Sequence, residues 1–388
     1  MKLDEQLALE RQRLDLAGLI RRELPLVTPE GPKITIGAKE LINLASNDYL
    51  GLATHPEVKR EAIGAVEKWG VGVAGPRMAS GSTALHGELE LALATFLGVP
   101  DALLFASGYH AATGLFEPLL TDRDFVFVDE LCRPAIADGL KLSRARVYSY
   151  RNRDLEHLEE RLKRSRAARF RVIVTDGVFP LSGQTADLLE IYRLSSRYEA
   201  MVAVDDSHGI GVLGEGGRGT HAHLGLTERI DVVTGSFACA LGGGAGGFIA
   251  GKKEIVSWLR QKSRPHLATT AVAPSTCAAV LKSLDLLRTE PQRRERVLEN
   301  AKIFQDAIAD HGLWTAEGEH PAVAVLVRET AMAQRLTDQL FKRGVFAVGF
   351  CYPVVPEGQA RVRAQIHVEH SKSDLQRVAD LFAEVAKR

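Results

Sequence analysis

An aspartate and a histidine stand three positions apart in Asp205-Asp-Ser-His208, directly after the apolar run Met201–Val204. A carboxylate at the carboxyl end of a parallel strand sits where layered α/β sheets collect their ligands. Ser107-Gly-Tyr109 follows another apolar run, Leu103–Ala106, and leads into a helical stretch. Such a turn offers free N–H groups and the positive end of a helix to a phosphate. Near the C-terminus, Arg361 and Arg363 alternate along a strand-like segment. A guanidinium fork binds a carboxylate through two parallel hydrogen bonds. Cys239 lies between an apolar run and a glycine-rich stretch. A cysteine thiolate attacks an acyl thioester when its pKa falls, but no general base is close in sequence. Each feature also has a plainer reading: Asp205 and His208 capping a turn, Ser107 marking a strand-to-helix turn without a ligand, an arginine facing solvent.

Other spacings fit no chemistry. Gly242-x-Gly244-x-x-Gly247 and Gly214-x-Gly216-x-x-Gly219 match the dinucleotide fingerprint in letters only. A Rossmann site needs strand, turn and helix in that order. The first run leads into strand-like Phe248-Ile-Ala250 and the second lies in a loop, so no nicotinamide site is expected. His221 and His223 are joined by no third ligand, so no metal site is expected. Cys132, Cys239, Cys277 and Cys351 match no zinc or redox spacing, which suits a reduced, cytoplasmic setting. Lys+Arg and Asp+Glu are equal at 49 each, which gives no pull toward nucleic acid or an anionic membrane. The charged start, Met1-Lys-Leu-Asp-Glu-Gln, has no apolar signal core, and no apolar stretch reaches membrane-spanning length.

The elements that must position these residues follow from periodicity. The 388 residues, 45% hydrophobic, are too many for one small domain. Short apolar runs at Ala102–Ala106, Phe125–Asp129, Arg171–Thr175, Met201–Asp205 and Asp231–Thr234 alternate with helical stretches such as Ala84–Leu97 and Asp154–Lys163. Buried parallel strands read as continuous apolar runs with crossover helices between them, so an α/β layered domain is expected. Residues 3–23 read as a charged amphipathic helix with Leu3, Leu7 and Leu14 among its apolar positions. It is a surface helix or a grip on a partner subunit. Residues 33–44 alternate like a hairpin and end in Asn43-Leu-Ala-Ser-Asn47. Beyond about residue 280 the pattern turns to long helices and a few alternating strands. Ser371-Lys-Ser-Asp374 is a capping box opening a last helix, Leu375–Ala386. The expected parts are an N-terminal helix and hairpin over 1–50, a large α/β domain over 51–280, and a small α+β domain over 281–388.

From about residue 5 to the C-terminus these motifs resemble the α-oxoamine synthases, pyridoxal-phosphate enzymes of fold type I. Asp205-Asp-Ser-His-Gly-Ile-Gly-Val-Leu-Gly-Glu-Gly-Gly-Arg-Gly219 is similar to the family's Asp-Asp-(Ala/Ser)-His run with its Gly-Val-Leu-Gly and Gly-Arg-Gly. The resemblance implies a large domain with a mostly parallel sheet between helices, and a smaller α+β C-terminal domain. It implies Asp205 as partner of the cofactor's pyridine nitrogen, which keeps the ring able to accept electrons, and His208 beside a cofactor oxygen. It assigns Ser107, Gly108, Tyr109 and Ser236 to the cofactor as well. Thr270, in Thr269-Thr270-Ala-Val-Ala-Pro274, is implied at a neighbouring subunit's phosphate. Asn47, Arg363 and Arg77, the last in Gly75-Pro-Arg-Met-Ala-Ser-Gly-Ser-Thr-Ala-Leu-His86, are implied at the substrate. Spacing to His370 favours Arg363 over Arg361 as the arginine that takes the amino-acid carboxylate.

The departures from the family fall on groups that do chemistry. Asp231-Val-Val-Thr-Gly-Ser-Phe-Ala-Cys-Ala-Leu-Gly-Gly-Gly-Ala-Gly-Gly247 resembles the run holding the family's Schiff-base lysine, and the matching residue is Cys239. A thiol cannot form an imine. Asp129-Glu-Leu-Cys-Arg-Pro-Ala-Ile-Ala-Asp-Gly139 is similar to the family's Asp-x-Leu-Asn-His-Ala-Ser-Ile-x-Asp-Gly. Arg133 stands where the family's histidine stacks on the ring and assists proton transfer. Arginine stacks on a π-face but cannot act as a base near neutrality. Pro180 and Ser182 replace a serine and an aspartate of the family's Thr-Glu-Gly-Val-Phe-Ser-Met-Asp-Gly, and Ala112 replaces an asparagine. Lys141, Lys252 and Lys253 are not convincing substitutes for the missing amine.

Three functions are compatible with this pattern. The first is an acyltransferase that condenses an amino acid with an acyl thioester of CoA or a carrier protein by altered chemistry, its pyridoxal phosphate held non-covalently. The second is a pseudoenzyme, with the cofactor possible or absent, that works as a homodimer or as partner subunit to an active paralogue. The third uses Cys239 as a thiol nucleophile. Ordinary lysine-linked catalysis is expected in none of them.

Overall fold

The computed structural model describes residues 2–16, 20, 23–242 and 244–386. The expected hairpin forms from β1 (Lys33–Ile36) and β2 (Lys39–Asn43), with Lys33 opposite Ile42. Its turn is Gly37-Ala38, with Gly37 at φ 59°, the positive φ that two-residue hairpin turns require.

The large sheet contains β3 (Asp101–Phe105), β4 (Phe125–Asp129), β5 (Arg146–Tyr150), β6 (Arg171–Asp176), β7 (Ala200–Asp205), β8 (Val232–Ser236) and β9 (Gly247–Gly251). Their order is β3-β9-β8-β7-β6-β4-β5. The strands from β8 to β5 run parallel, while β9 is antiparallel to both β8 and β3. Every residue of β4, β8 and β9 is buried. Helices cover both faces, so these strands read as unbroken apolar runs. The expectation missed β5. It is an edge strand whose Arg-Val-Tyr-Ser is mostly exposed or half-buried, so no continuous apolar run marks it.

The C-terminal part holds β10 (Trp314–Thr315), β11 (Ala322–Arg328), β12 (Val345–Phe346), β13 (Val348–Phe350) and β14 (Ala360–Gln365). Four of them form an antiparallel sheet in the order β10-β11-β14-β13, and β12 instead pairs with β2. The helices Pro291–Asp310, Thr330–Lys342 and Lys372–Ala386 close over a core of Phe304, Leu336, Leu340 and Phe382. The last helix opens three residues earlier than expected. The Ser371 hydroxyl accepts the Asp374 N–H at 3.1 Å, so the cap itself sets the start.

The first helix, Leu3–Leu16, buries none of its residues, and Leu3 is 75% exposed. The rest of the expected span, at 17–19, 21 and 22, lies outside the described residues. Among the described residues no helix is long and apolar enough to cross a membrane.

Candidate active site

Parallel β4, β6, β7 and β8 point their carboxyl ends one way, which gathers Asp129, Asp176, Asp205 and Ser236 along one rim. Asp129 serves the rim's own backbone, accepting the N–H groups of Leu131 and Arg153 at 2.9 Å each. Asp176 and Asp205 are direct neighbours in register. The Thr234 hydroxyl donates to Asp205 Oδ2 at 2.7 Å, and the Ser207 N–H donates to Oδ1 at 3.2 Å. A third donor comes from across the rim: Arg133 Nη1 lies 2.9 Å from Asp205 Oδ1.

Arg133 is held from below. It is the residue before the helix Pro134–Leu142, and proline at the first helical position fixes the entry of that helix. Its own N–H donates to Asp176 Oδ2 at 3.2 Å. Asp176 is fully buried and its Oδ1 has no partner. Burial, and after it the charge of Asp205, pushes its carboxyl well above the usual carboxylate range. A carboxyl group driven toward its neutral form therefore lies next to the Asp205–Arg133 pair. The Asp205 charge also raises the Arg133 pKa, so the guanidinium stays charged.

Cys239 follows β8 and is 3% exposed, packed with Phe237 and Leu241. Burial pushes its thiol up to about 11, against the pull of the Arg133 charge. No described lysine takes its place. Among the described residues every lysine is exposed except Lys282, which is half-buried and held by Glu57 at 2.7 Å. Lys141 pairs with Asp138, and Lys252 pairs with Asp231, on the surface.

Ser107 caps the helix Gly108–Thr113, its hydroxyl accepting the His110 N–H at 3.1 Å. Gly108 faces Ser236 so closely that a Cβ there would meet the serine Cβ at 2.7 Å. The two expected cofactor segments are thus brought together, and only glycine permits it. Tyr109 turns outward and donates to Asp138 at 2.9 Å. Thr270 is exposed and lines a small cavity with Arg77 and His266. The Arg77 guanidinium is paired to Glu90 at 2.8 Å.

The opposite wall is polar and connected. The Tyr49 hydroxyl lies 2.8 Å from His208 Nδ1 and donates to Gln365 Oε1 at 3.2 Å. Gln365 in turn donates to the Asn47 side chain. His320 Nε2 donates to the His208 carbonyl at 2.8 Å, and its Nδ1 accepts the Ala322 N–H at 3.0 Å. Those two bonds fix a neutral tautomer. Burial lowers His208 well below the usual range, and the Arg133 charge adds to this. Arg363 donates to the Pro180 carbonyl at 3.0 Å and lies 4.9 Å from the Phe350 ring centre. Its charge reaches Cys239, Tyr49 and His208. Arg361 instead donates to Gln359. Of the two arginines, Arg363 is therefore the one whose charge is felt at Cys239 and His208.

Asp206, next to the rim aspartate, is an internal brace. It accepts the Thr220 N–H at 2.7 Å and the Thr220 hydroxyl at 2.6 Å. A Cβ at Gly177, Gly209 or Gly219 would collide with its carboxylate.

Sequence reasoning missed Tyr49, Asp176, His320 and Gln365, which form the buried polar network around Asp205 and His208. Asp176 carried a signal, since it stands at the glutamate of the quoted Thr-Glu-Gly run. His320 carried none, because it comes from a loop before β11.

A family model described as aminotransferase class I and II matches residues 39–382. The chain is 38% identical over 387 residues to the 2-amino-3-ketobutyrate coenzyme A ligase of Escherichia coli (strain K12), covering 99% of this chain and 97% of that protein. It is 40% identical over 378 residues to the 8-amino-7-oxononanoate synthase of Thermoanaerobacter pseudethanolicus, covering 97% and 95%. Among solved structures, a lysine-to-alanine variant of serine palmitoyltransferase from S. paucimobilis, with a bound PLP–myriocin aldimine, matches with TM-score 0.94 at 29% identity, covering 100% of this chain and 99% of that one. The 8-amino-7-oxononanoate synthase from Francisella tularensis matches with TM-score 0.78 at 26% identity, covering 89% and 98%.

Proposed function

The chain belongs to the aminotransferase class I and II family, among its α-oxoamine synthases, a pyridoxal-phosphate group; on that premise we propose that it is a lysine-less member that keeps the scaffold and does not itself carry out the condensation. The observation that carries this is the absence of a buried amine among the described residues. Position 239 holds a buried thiol, and every described lysine is solvent-exposed or tied to surface carboxylates. Covalent catalysis in this family depends on an amine nucleophile. The residues present do not fit a lysine-linked cofactor.

What remains can bind but has little to move a proton with. Arg363 offers a guanidinium to a carboxylate from a wall that is otherwise neutral. His208 is neutral and engaged by Tyr49. Arg133 stays charged and gives up no proton near neutrality. General acid–base groups typically contribute about 10²–10⁴-fold, and that contribution is missing along with the amine. Cys239, with its thiol near 11, is no ready nucleophile. Exposed Thr270 remains free to be lent across a subunit boundary, which supports the role of partner subunit to a second chain, whether another copy or an active paralogue.

A second reading has one observation on its side. A lysine-to-alanine variant of a serine palmitoyltransferase holds a PLP–myriocin aldimine on a similar scaffold. By that analogy an amino acid joined to the cofactor could occupy this site without a lysine, for a weakened condensation.

The deciding test mixes the purified protein with pyridoxal phosphate, treats it with borohydride and maps the labelled peptides. It also assays amino acids with acyl thioesters for product. The expected result is no label within the cavity and no turnover. A label on one specific lysine, with product formed, overturns the proposal, and turnover with no labelled lysine supports the second reading.

A further inference from the structure

We propose that Arg133 is an internal substitute for a cationic ring: its guanidinium occupies the cation seat on Asp205 and shuts a pyridinium-type ligand out of the pocket. This rests on the lysine-less reading above but concerns a different group, and it stands or falls separately.

The geometry is specific. Asp205 is 3% exposed and both of its oxygens are engaged, Oδ2 by Thr234 and Oδ1 by Ser207 and Arg133. The Thr234 and Ser207 donors belong to the sheet and its first turn, so they orient the carboxylate without neutralising it. Arg133 is the one cation paired with it among the described residues. The side chain gets there from the end of β4, past Asp176 on β6, to Asp205 on β7, and these three strands are consecutive in the sheet. Its base is fixed by the Asp176–N–H bond and by Pro134. The guanidinium therefore lies across the rim, over the carboxyl ends where an α/β sheet receives a ligand.

A protonated aromatic nitrogen and a guanidinium cannot both pair with this one buried carboxylate. Two like charges at such separation repel, and little solvent is present to screen them. Arg133 is 23% exposed by side chain and Asp205 2%, so the existing pair has already given up most of its hydration. A ligand that displaced it would have to rehydrate or re-pair the guanidinium, and the second carboxyl within reach, Asp176, is driven toward its neutral form. The Ser107–Gly108 turn packs closely on Ser236 at the end of β8, the strand next to β7. Exclusion thus rests on one side chain, and losing that side chain should open the seat.

The probe is pyridoxamine 5′-phosphate. It carries the ring and phosphate but no aldehyde, so it cannot condense with exposed lysines. Its affinity is measured by calorimetry for the full chain, Arg133→Ala, Arg133→Gln and Arg133→Ala/Asp205→Asn, each checked for folding by circular dichroism. Arg133→Gln preserves most of the volume without the charge, in case the alanine variant fails to fold. The expected result is at least ten-fold tighter binding by either single variant, and loss of that gain in the double variant. Binding by the unchanged protein as tight as by a folded single variant overturns the proposal. So does a gain that survives loss of the Asp205 charge. Because the probe has no aldehyde, none of these outcomes depends on whether a lysine can be trapped.

Discussion

The Arg133 guanidinium and the Asp205 carboxylate form a 2.9 Å ion pair across the carboxyl ends of three adjacent strands, above a carboxyl group on Asp176 that has no partner for its Oδ1. A pair so enclosed is costly to break from one side, because a charge is left buried and unsatisfied. Arg133→Ala should lower unfolding stability by about 3 kcal/mol, at the low end for such pairs because the arginine keeps some exposure. Arg133→Met with Asp205→Leu should cost much less than the sum of the single changes. Urea midpoints for the four proteins of this cycle check it, and additive losses would show that the two side chains act independently.

Cys239 should resist alkylation near neutrality. With its thiol pushed up to about 11, only about one molecule in three thousand carries the thiolate at pH 7.5. Its reaction with iodoacetamide, followed by peptide mass spectrometry, should accelerate about ten-fold per pH unit between 7 and 10. The Arg133 charge favours the thiolate, so Arg133→Ala should slow labelling at fixed pH. Fast, pH-independent labelling at pH 6 would instead revive a nucleophilic cysteine.

Acid should weaken the fold through His320. Burial lowers this histidine to about 4 in the folded chain, whereas the unfolded chain takes up a proton near 6.5. The unfolded state then binds more protons below that value, so the contribution is whole above about pH 6.5 and is lost as pH falls toward 4. For this residue alone the loss is about 2 kcal/mol between pH 7.5 and 5. Urea unfolding at pH 7.5 and 5 should show a shallower pH dependence for His320→Gln than for the unchanged protein.

Restoring the family's two missing groups should restore lysine-linked binding of pyridoxal phosphate. Cys239→Lys together with Arg133→His should give an adduct stable to borohydride at position 239, read by absorbance and mass spectrometry. Cys239→Lys alone should label at least ten-fold less at equal cofactor, because the guanidinium still occupies Asp205. Equal labelling by the single and double variants would remove Arg133 from any role in exclusion.

Parts of this molecule were readable without coordinates. The strands ending in Asp129, Asp176 and Asp205 announced themselves because burial on both faces demands unbroken apolar runs. The helix over Ala84–Leu97 was readable because a long run of apolar residues and good helix formers ends at Gly98, which takes the left-handed cap. The exposed edge strand Arg146–Tyr150 was not, since no buried face constrained its residues. At the site, Asp205 and Arg363 could be found as motif positions. The Tyr49–Gln365 contact joins residues 316 apart in the chain, and no local pattern encodes such a meeting.

The sequence alone settled which atoms are present: a thiol and a guanidinium at positions 239 and 133, where the family resemblance leads one to expect an amine and an imidazole. Covalent structure fixes that much before any folding. Only the tertiary structure decided what those atoms do. The parallel order of β4, β6 and β7 places Arg133 within reach of a carboxylate 72 residues away, and burial of both ends turns that reach into a durable ion pair. A surface arginine with the same neighbours in sequence would have been solvated, because water screens a charge that a packed rim cannot.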